Sequence, residues 1–207
     1  YSSFASAGTR VVAVGGDHSV TLPVLRSLAK ARDGKAPLGL IHIDAHADTG
    51  DNYLGSRFHH GAPFRVAVEE GLIDPKRCVQ VGIRGTLADP RQWQFSKESG
   101  MTVLTMEEVA DMGIRATVKE IAKVVGDEPL YVSFDIDALD PAYAPGTGTP
   151  EIGGMTSREA LSLLRGISRL NLDVVGADVV EVSPPFDVGA ITSLAGANIL
   201  FELLCIV

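Results

Sequence analysis

Short and almost uninterrupted apolar segments alternate with segments of helical pattern along most of the 207-residue chain. Strands that are apolar at nearly every position are typical of a parallel sheet covered by helices on both faces. The sequence therefore predicts a three-layer α/β/α fold with a mostly parallel central sheet. The predicted strands are Arg10–Gly15, Leu38–Asp44, Arg77–Ile83, Met101–Thr105, Leu130–Asp135 and Leu172–Val182. The predicted helices are Val20–Ala31, Pro63–Glu70, Pro90–Ser99, Ile114–Val125, Ser157–Ser168 and Ile191–Leu204.

Length, charge and cysteine content narrow the class of protein. The length predicts one domain over residues 1–207. A net charge of −8 disfavours nucleic acid and acidic membrane surfaces as partners. No apolar run reaches the roughly 18 residues that a membrane span needs. The two cysteines, Cys78 and Cys205, are far apart, which argues against a disulfide framework and for a reducing compartment. We expect the cytoplasm, or the mitochondrial matrix if a transit peptide precedes Tyr1.

Two long irregular segments, Ala45–Gly61 and Ala138–Gly154, each follow directly on a predicted strand. In open α/β sheets, ligands bind beyond the carboxyl ends of the strands. Loops longer than about 12 residues in a compact domain usually carry function. Both segments are therefore predicted to border a functional site.

Aspartates and histidines gather at the ends of predicted strands. Side chains two apart on a strand point the same way, so Asp44 and His46 converge, as do Asp135 and Asp137. An isolated aspartate after a strand is usually a turn former, which is the alternative for Asp17. Several such groups at neighbouring strand ends would repel one another without a cation. The pattern therefore predicts a two-metal centre. The residues that predict it are Asp44, His46, Asp48, Asp135 and Asp137.

Five further residues have open interpretations. His42 is predicted to lie beneath the site as a buried, hydrogen-bonded histidine. Of the adjacent His59 and His60, at most one is expected to face the site. Arg84 would either orient an anion or form a salt bridge. Glu181 would bind a cationic substrate group or pair with a nearby arginine.

Several motifs give the chain a family resemblance. Gly15-Gly16-Asp17-His18-Ser19, Asp44-Ala45-His46-Ala47-Asp48 and Ser133-Phe134-Asp135-Ile136-Asp137 resemble, in form and order, the motifs of the ureohydrolase family of arginases, agmatinases and guanidino-acid hydrolases. Further segments are more similar to its agmatinase branch, namely His60–Arg65, Val81–Gly85, Asp140–Pro150 and Val180–Pro185. The resemblance implies an arginase-like fold. Family members carry further strand–helix units before the first strand, so we expect this chain to lack N-terminal units.

The resemblance implies two Mn²⁺ ions and a set of site residues. One ion would be held by His18, Asp44, Asp48 and Asp135. The other would be held by Asp44, His46, Asp135 and Asp137, so that Asp44 and Asp135 are shared. Asp48 and His60 would be catalytic, relaying and exchanging protons, and Glu181 would bind the substrate guanidinium.

The reaction implied by the resemblance is hydrolysis of a small guanidino substrate, agmatine, to putrescine and urea by a homo-oligomer. The alternatives are a guanidino acid such as 4-guanidinobutyrate, or a catalytically silent subunit of the same fold that binds a partner. A carboxylate-tailed substrate would favour a cationic group at the rim, for which Arg57 is a candidate, whereas an amine tail would favour an acid.

Overall fold

The computed structural model describes residues 1–32, 34–85 and 91–207, without the side chains of Arg91 and Gln92. Six parallel strands form one sheet in the order β1-β6-β5-β2-β3-β4. The strands are β1 Val11–Val14, β2 Leu38–Ile43, β3 Ile73–Ile83, β4 Thr102–Thr105, β5 Leu130–Asp135 and β6 Val174–Val180. The helices are α1 Ser2–Ser6, α2 Thr21–Ala31, α3 Pro63–Glu69, α4 Arg91–Ser99, α5 Met106–Met112, α6 Ile114–Val125, α7 Ser157–Ser168 and α8 Ile191–Leu204.

Helices cover both faces of the sheet, which confirms the predicted three-layer fold. Side chains alternate between the faces along each strand. On β2, Leu38 and Leu40 pack with α2 and α3, whereas Ile41 and Ile43 pack with helices α5–α8. Both faces are buried, and this explains why the strands are apolar at consecutive positions. Within the described ranges, no helix is both long and apolar enough to cross a membrane.

The structure corrects several predicted boundaries. Helices α1 and α5 are not among the predicted elements, and α5 begins with a capping box between Thr105 and Glu108. Strand β3 begins at Ile73, four residues before its predicted start. Strand β6 ends at Val180, so Glu181 lies beyond the strand that was predicted to contain it. The predicted first residue of α4, Pro90, lies outside the described residues.

Candidate metal centre

Strand order brings the predicted ligands to one place. Strands β1, β6, β5 and β2 are consecutive neighbours and parallel, so their carboxyl ends meet at one edge of the sheet. A 3₁₀ turn after β1 carries His18, and the loop after β2 carries His46. The end of β5 carries Asp135. The ends of three strands, β1, β2 and β5, thus supply every residue of the predicted centre, and the end of β6 supplies Glu181.

One cluster, which we call the His18 group, consists of His18, Asp44, Asp48 and Asp135. The Nδ1 atom of His18 lies 2.9 Å from Oδ2 of Asp48 and 3.2 Å from Oδ2 of both Asp44 and Asp135. This nitrogen is buried and has no partner in hydrogen-bond geometry. A ring nitrogen facing three carboxylate oxygens without a hydrogen bond is well suited to a shared cation. Hard oxygen ligands with few imidazoles suit Mn²⁺.

A second cluster, the His46 group, consists of Asp44, His46 and Asp137, whose ligand atoms lie close enough to hold an ion. Nδ1 of His46 lies 3.0 Å from Oδ2 of Asp137 and 3.6 Å from Oδ1 of Asp44. The two oxygens of Asp44 therefore face different groups, Oδ2 the His18 group and Oδ1 the His46 group. This arrangement fits a carboxylate shared between two ions.

Crowding and burial shift the pKa values of the aspartates. Burial and the charges of Asp137 and Asp44 raise the pKa of Asp135 well above its usual value. Burial and the charge of Asp44 likewise raise the pKa of Asp137 to about 6. Burial also opposes ionisation of Asp44, but His42 and the other adjacent histidines lower its pKa well below the usual range. The cluster needs nearby positive charge, which protons or divalent cations supply.

Metal binding should weaken as the pH falls. Burial lowers the pKa of His46, but the hydrogen bonds to Asp137 and Asp44 outweigh it and raise this pKa to about 12. An ion must displace that proton, and below pH about 6 it must also displace one from Asp137. Mn²⁺ binding therefore releases protons, and the affinity should drop as the pH falls through about 6. Calorimetry in two buffers with different ionisation enthalpies would count these protons, and a pH-independent affinity would contradict the prediction.

His42 lies beneath the centre, as predicted. Its Nε2 lies 2.6 Å from Oδ2 of Asp44, and its Nδ1 lies 3.0 Å from Nε2 of Gln80. The side chain of Gln80 also donates to the backbone carbonyl of Ala47. Since the Gln80 amide can only donate to Nδ1, the hydrogen of the neutral ring resides on Nε2 and points at Asp44. The ring lies close enough to His18 and Asp44 to share an ion with them. Because both of its ring nitrogens already have partners, we interpret His42 as a residue that orients Asp44.

Glu181 and His60 line a cavity of about 330 Å³ together with residues of the metal centre. Oε1 of Glu181 accepts a hydrogen bond of 2.8 Å from the backbone N–H of His18 and lies 3.3 Å from Nδ1 of His60. The Glu181 carboxylate raises the pKa of His60. Both His59 and His60 line the cavity, so the expectation that at most one would face it is wrong. The lining residues are His46, Asp48, Tyr53, His59, His60, Gly61, Asp135, Asp137, Thr149, Pro150, Glu151 and Glu181.

Two site residues have strained backbone conformations. Asp48 and Glu181 have φ values of 49° and 63°, in the left-handed region that non-glycine residues rarely adopt. Such strain costs on the order of 1–3 kcal/mol and clusters at functional sites. At Glu181 the left-handed turn ends the strand pleat directly after β6, and the carboxylate lies against the cavity.

Two arginines have roles that differ from the expectations. The Arg84 guanidinium donates to the backbone carbonyls of Asp137 and Glu151, each at 2.8 Å, so it neither orients an anion nor forms the expected salt bridge in these contacts. It ties the loop before α7 to the metal centre. Arg57 pairs with Glu69 on the surface and is absent from the cavity lining.

Gly85 packs against the His46 group. A Cβ at this position would overlap the ring of His46 and lie 3.1 Å from the carbonyl oxygen of Ala45. We therefore expect Gly85→Ala to displace His46, to reduce manganese content toward one ion per chain, and to lower activity by about tenfold or more. Metal analysis after dialysis measures this. Gly16→Ala is the matched control, since a Cβ there meets nothing within 4 Å; equal manganese contents in both variants would contradict the prediction.

The motifs do not single out Gln80, Thr149 or Glu151. Thr149 donates to Oδ2 of Asp137 at 3.2 Å, and Oε1 of Glu151 lies 3.5 Å from Nε2 of His46. In the sequence, Thr149 and Glu151 are marked only by their place in the long loop that follows β5. Gln80 is marked only as an amide side chain within a mostly apolar strand.

Comparison with known proteins identifies relatives of this chain. A guanidinopropionase from Pseudomonas aeruginosa is 56% identical, and the match covers 100% of this chain and 63% of the relative. A mitochondrial agmatinase from Gallus gallus is 47% identical, with 100% of this chain and 59% of the relative covered. A mitochondrial guanidino acid hydrolase from Homo sapiens is also 47% identical, with 99% and 57% covered. The chain thus spans about three fifths of the length of these curated relatives.

Solved structures and a family model agree with these relatives. Proclavaminate amidino hydrolase from Streptomyces clavuligerus superposes with a TM-score of 0.88 at 43% identity, covering 100% of this chain and 69% of that one. The arginase from Bacillus subtilis superposes with a TM-score of 0.87 at 30% identity, covering 98% of this chain and 74% of that one. The model of the Arginase family matches residues 1–205. The chain belongs to the arginase family, also called ureohydrolases.

Proposed function

We propose that the protein hydrolyses the guanidino group of a small linear substrate to urea and an amine, with two Mn²⁺ ions as cofactor. The observation that carries this proposal is that the Glu181 carboxylate lines one cavity with Asp48 and Asp135 of the His18 group and with Asp137 of the His46 group. A guanidinium paired with Glu181 would therefore lie over the metal centre. Hydrolysis of a resonance-stabilised cation needs both its fixation and a strong nucleophile.

Three residues around the cavity have distinct proposed tasks. The His18 and His46 groups would hold the two ions, whose charge would supply the activation of water for attack near neutral pH. Glu181 would hold the guanidinium N–H groups in charge-assisted hydrogen bonds. Asp48 would accept a proton from the attacking water and pass it to the leaving amine. His60, half-exposed at the cavity mouth, would exchange protons with solvent.

For the substrate tail, we propose the amine of agmatine. Among the cavity-lining residues that the structure describes, none is lysine or arginine, while Glu151 adds an acid to the lining. The candidate rim cation, Arg57, is paired with Glu69. A guanidino acid is the second candidate, because the relative at 56% identity is a guanidinopropionase.

Urea release from a panel of agmatine, 4-guanidinobutyrate, 3-guanidinopropionate and arginine tests this proposal. We expect agmatine to have the largest kcat/KM. If either guanidino acid has the largest kcat/KM instead, the proposed substrate is wrong and the proposed reaction stands. If the protein binds Mn²⁺ and releases no urea from any of the four, a silent subunit becomes the better explanation.

Compartment and assembly are also proposals. Cys78 is buried and Cys205 is exposed, and neither forms a disulfide, in keeping with a reducing compartment such as the cytoplasm. We expect a homo-oligomer, and light scattering coupled to size-exclusion chromatography would measure its mass.

A further inference from the structure

A row of polar side chains crosses the apolar sheet directly beneath the metal ligands. Gln80, His42, Ser133 and Asp178 occupy equivalent register positions on the neighbouring strands β3, β2, β5 and β6. All four are fully buried. We call them the polar row. Burying a carboxylate is costly unless its oxygens are fully hydrogen-bonded, so Asp178 needs an explanation.

Hydroxyl groups surround Asp178. Its Oδ2 accepts from Thr21 Oγ1 at 2.6 Å and from the Tyr131 hydroxyl at 2.8 Å, and its Oδ1 accepts from Ser133 Oγ at 2.7 Å. Three donors satisfy the carboxylate. Of these, Ser133 continues the chain of hydrogen bonds, because its Oγ also lies 2.8 Å from Nε2 of His18.

The direction of each hydrogen bond follows from Asp178. Three hydroxyl groups donate to the Asp178 carboxylate, and the Ser133 hydroxyl hydrogen therefore points at Asp178. The remaining lone pairs of Ser133 Oγ can then only accept from His18, which places a hydrogen on Nε2. In a neutral ring the lone pair is left on Nδ1, the atom that faces Asp44, Asp48 and Asp135.

We propose that Asp178 is a positioning residue that acts through Ser133 to orient His18 and to keep its hydrogen on Nε2, so that Nδ1 is presented to the metal. Hydrogen bonds of this kind to ligand histidines typically change metal affinity 10–100-fold. The inference rests on the proposed metal centre. The competing explanation is that the polar row only holds β5 against β6.

Asp178→Asn is the sharpest test because it keeps the shape of the side chain. The amide oxygen would turn toward the two donors, Thr21 and Tyr131, and the amide N–H₂ would face Ser133. Ser133 would then accept from the amide and donate to Nε2 of His18, which moves the ring hydrogen to Nδ1. We expect the affinity of the metal-free protein for Mn²⁺ to fall by about tenfold or more.

Ser133→Ala breaks the same series of hydrogen bonds without altering the Asp178 carboxylate. It tests the positioning role even if Asp178→Asn does not fold. Tyr131→Phe is the matched control, since it removes one hydrogen bond from Asp178 and leaves the path to His18 intact. Calorimetric Mn²⁺ titration and the electron paramagnetic resonance signal of the coupled ion pair provide the readouts. We expect Ser133→Ala to lose affinity and the coupled signal, and Tyr131→Phe to retain both.

Two results would overturn the positioning role. One is wild-type Mn²⁺ affinity in both Ser133→Ala and Asp178→Asn. The other is an equal loss of affinity in Ser133→Ala and Tyr131→Phe, which would indicate general loosening of the sheet. Failure of the proposed function is distinguishable, because the unsubstituted protein would then bind no Mn²⁺ or release no urea.

Discussion

Asp135→Asn should abolish urea release and reduce manganese binding at both positions of the centre. Asp135 lies at the end of β5, and its Oδ2 is 3.2 Å from Nδ1 of His18. Its Oδ1 accepts from the backbone N–H of Asp137, so its two oxygens face residues of different ligand groups, His18 and Asp137. The carboxylate could give each of two ions a negatively charged oxygen, whereas an amide has a single, uncharged oxygen. We expect activity to fall by about four orders of magnitude, which is about 5 kcal/mol of transition-state stabilisation.

The same substitution should leave the metal-free protein folded. Burial and the charges of Asp137 and Asp44 raise the pKa of Asp135, so a negative charge at this position opposes folding when no cation is present. An asparagine keeps the acceptor for the Asp137 N–H and removes that repulsion. The Tm without metal should therefore equal or exceed that of the unsubstituted protein, while the increase in Tm caused by Mn²⁺ should be small.

Asp137→Asn is the matched comparison, because the Asp137 carboxylate lies beside His46 and belongs to the His46 group and not to the His18 group. We expect this variant to bind one ion with nearly normal affinity and a second one weakly. Manganese content after dialysis, measured on both variants, distinguishes them. If the Asp135→Asn protein retains two ions with normal affinity, Asp135 is not shared between them.

The parts of the fold that the sequence predicts are those in which local pattern and burial agree. Five of the six strands lie close to their predicted positions, because both faces of the sheet are buried and apolar residues are therefore consecutive. Helix α5 has seven residues and follows β4 without a loop, so its apolar pattern is too short to recognise. Its only local signal is the Thr105–Glu108 capping box.

The site is predicted as far as it depends on strand ends. Parallel strands bring their carboxyl ends to one edge, and the ligand-type residues of the motifs meet there as expected. The conformation of Glu181 could not be predicted in this way. Alternation along the strand places it on the face of Val179, whereas β6 ends at Val180 and Glu181 turns to φ 63°.

The polar row is the part that pattern analysis does not resolve. A serine and an aspartate within apolar strands show that polar groups are buried, but not which ones meet. Strand order and register supply that information, since β5 and β6 become neighbours only in the folded sheet and Ser133 pairs with Asp178. The sequence therefore predicts which residues gather at the strand ends better than it predicts the hydrogen bonds that orient them.

Glu181→Gln should separate substrate binding from metal binding. In the structure, Oε1 of Glu181 accepts from the His18 backbone and faces His60, and its described contacts include no arginine. Glutamine keeps the size of the side chain and an oxygen for the His18 N–H, and it removes the negative charge. We expect manganese content to stay normal while kcat/KM falls by two or more orders of magnitude, about 3 kcal/mol of lost transition-state binding.

The pKa of His60 provides an independent measurement on the same variant. The Glu181 carboxylate raises this pKa, so the imidazole of the unsubstituted protein stays protonated to higher pH than an ordinary histidine. In Glu181→Gln the titration of His60, followed by NMR, should move to lower pH. If Glu181 and His60 formed only a structural ion pair, Glu181→Gln would lower the Tm and leave the kinetics nearly unchanged. Loss of one manganese ion would instead make Glu181 a metal ligand, because a substrate-binding carboxylate that lies outside the two ligand groups has no reason to alter the metal content.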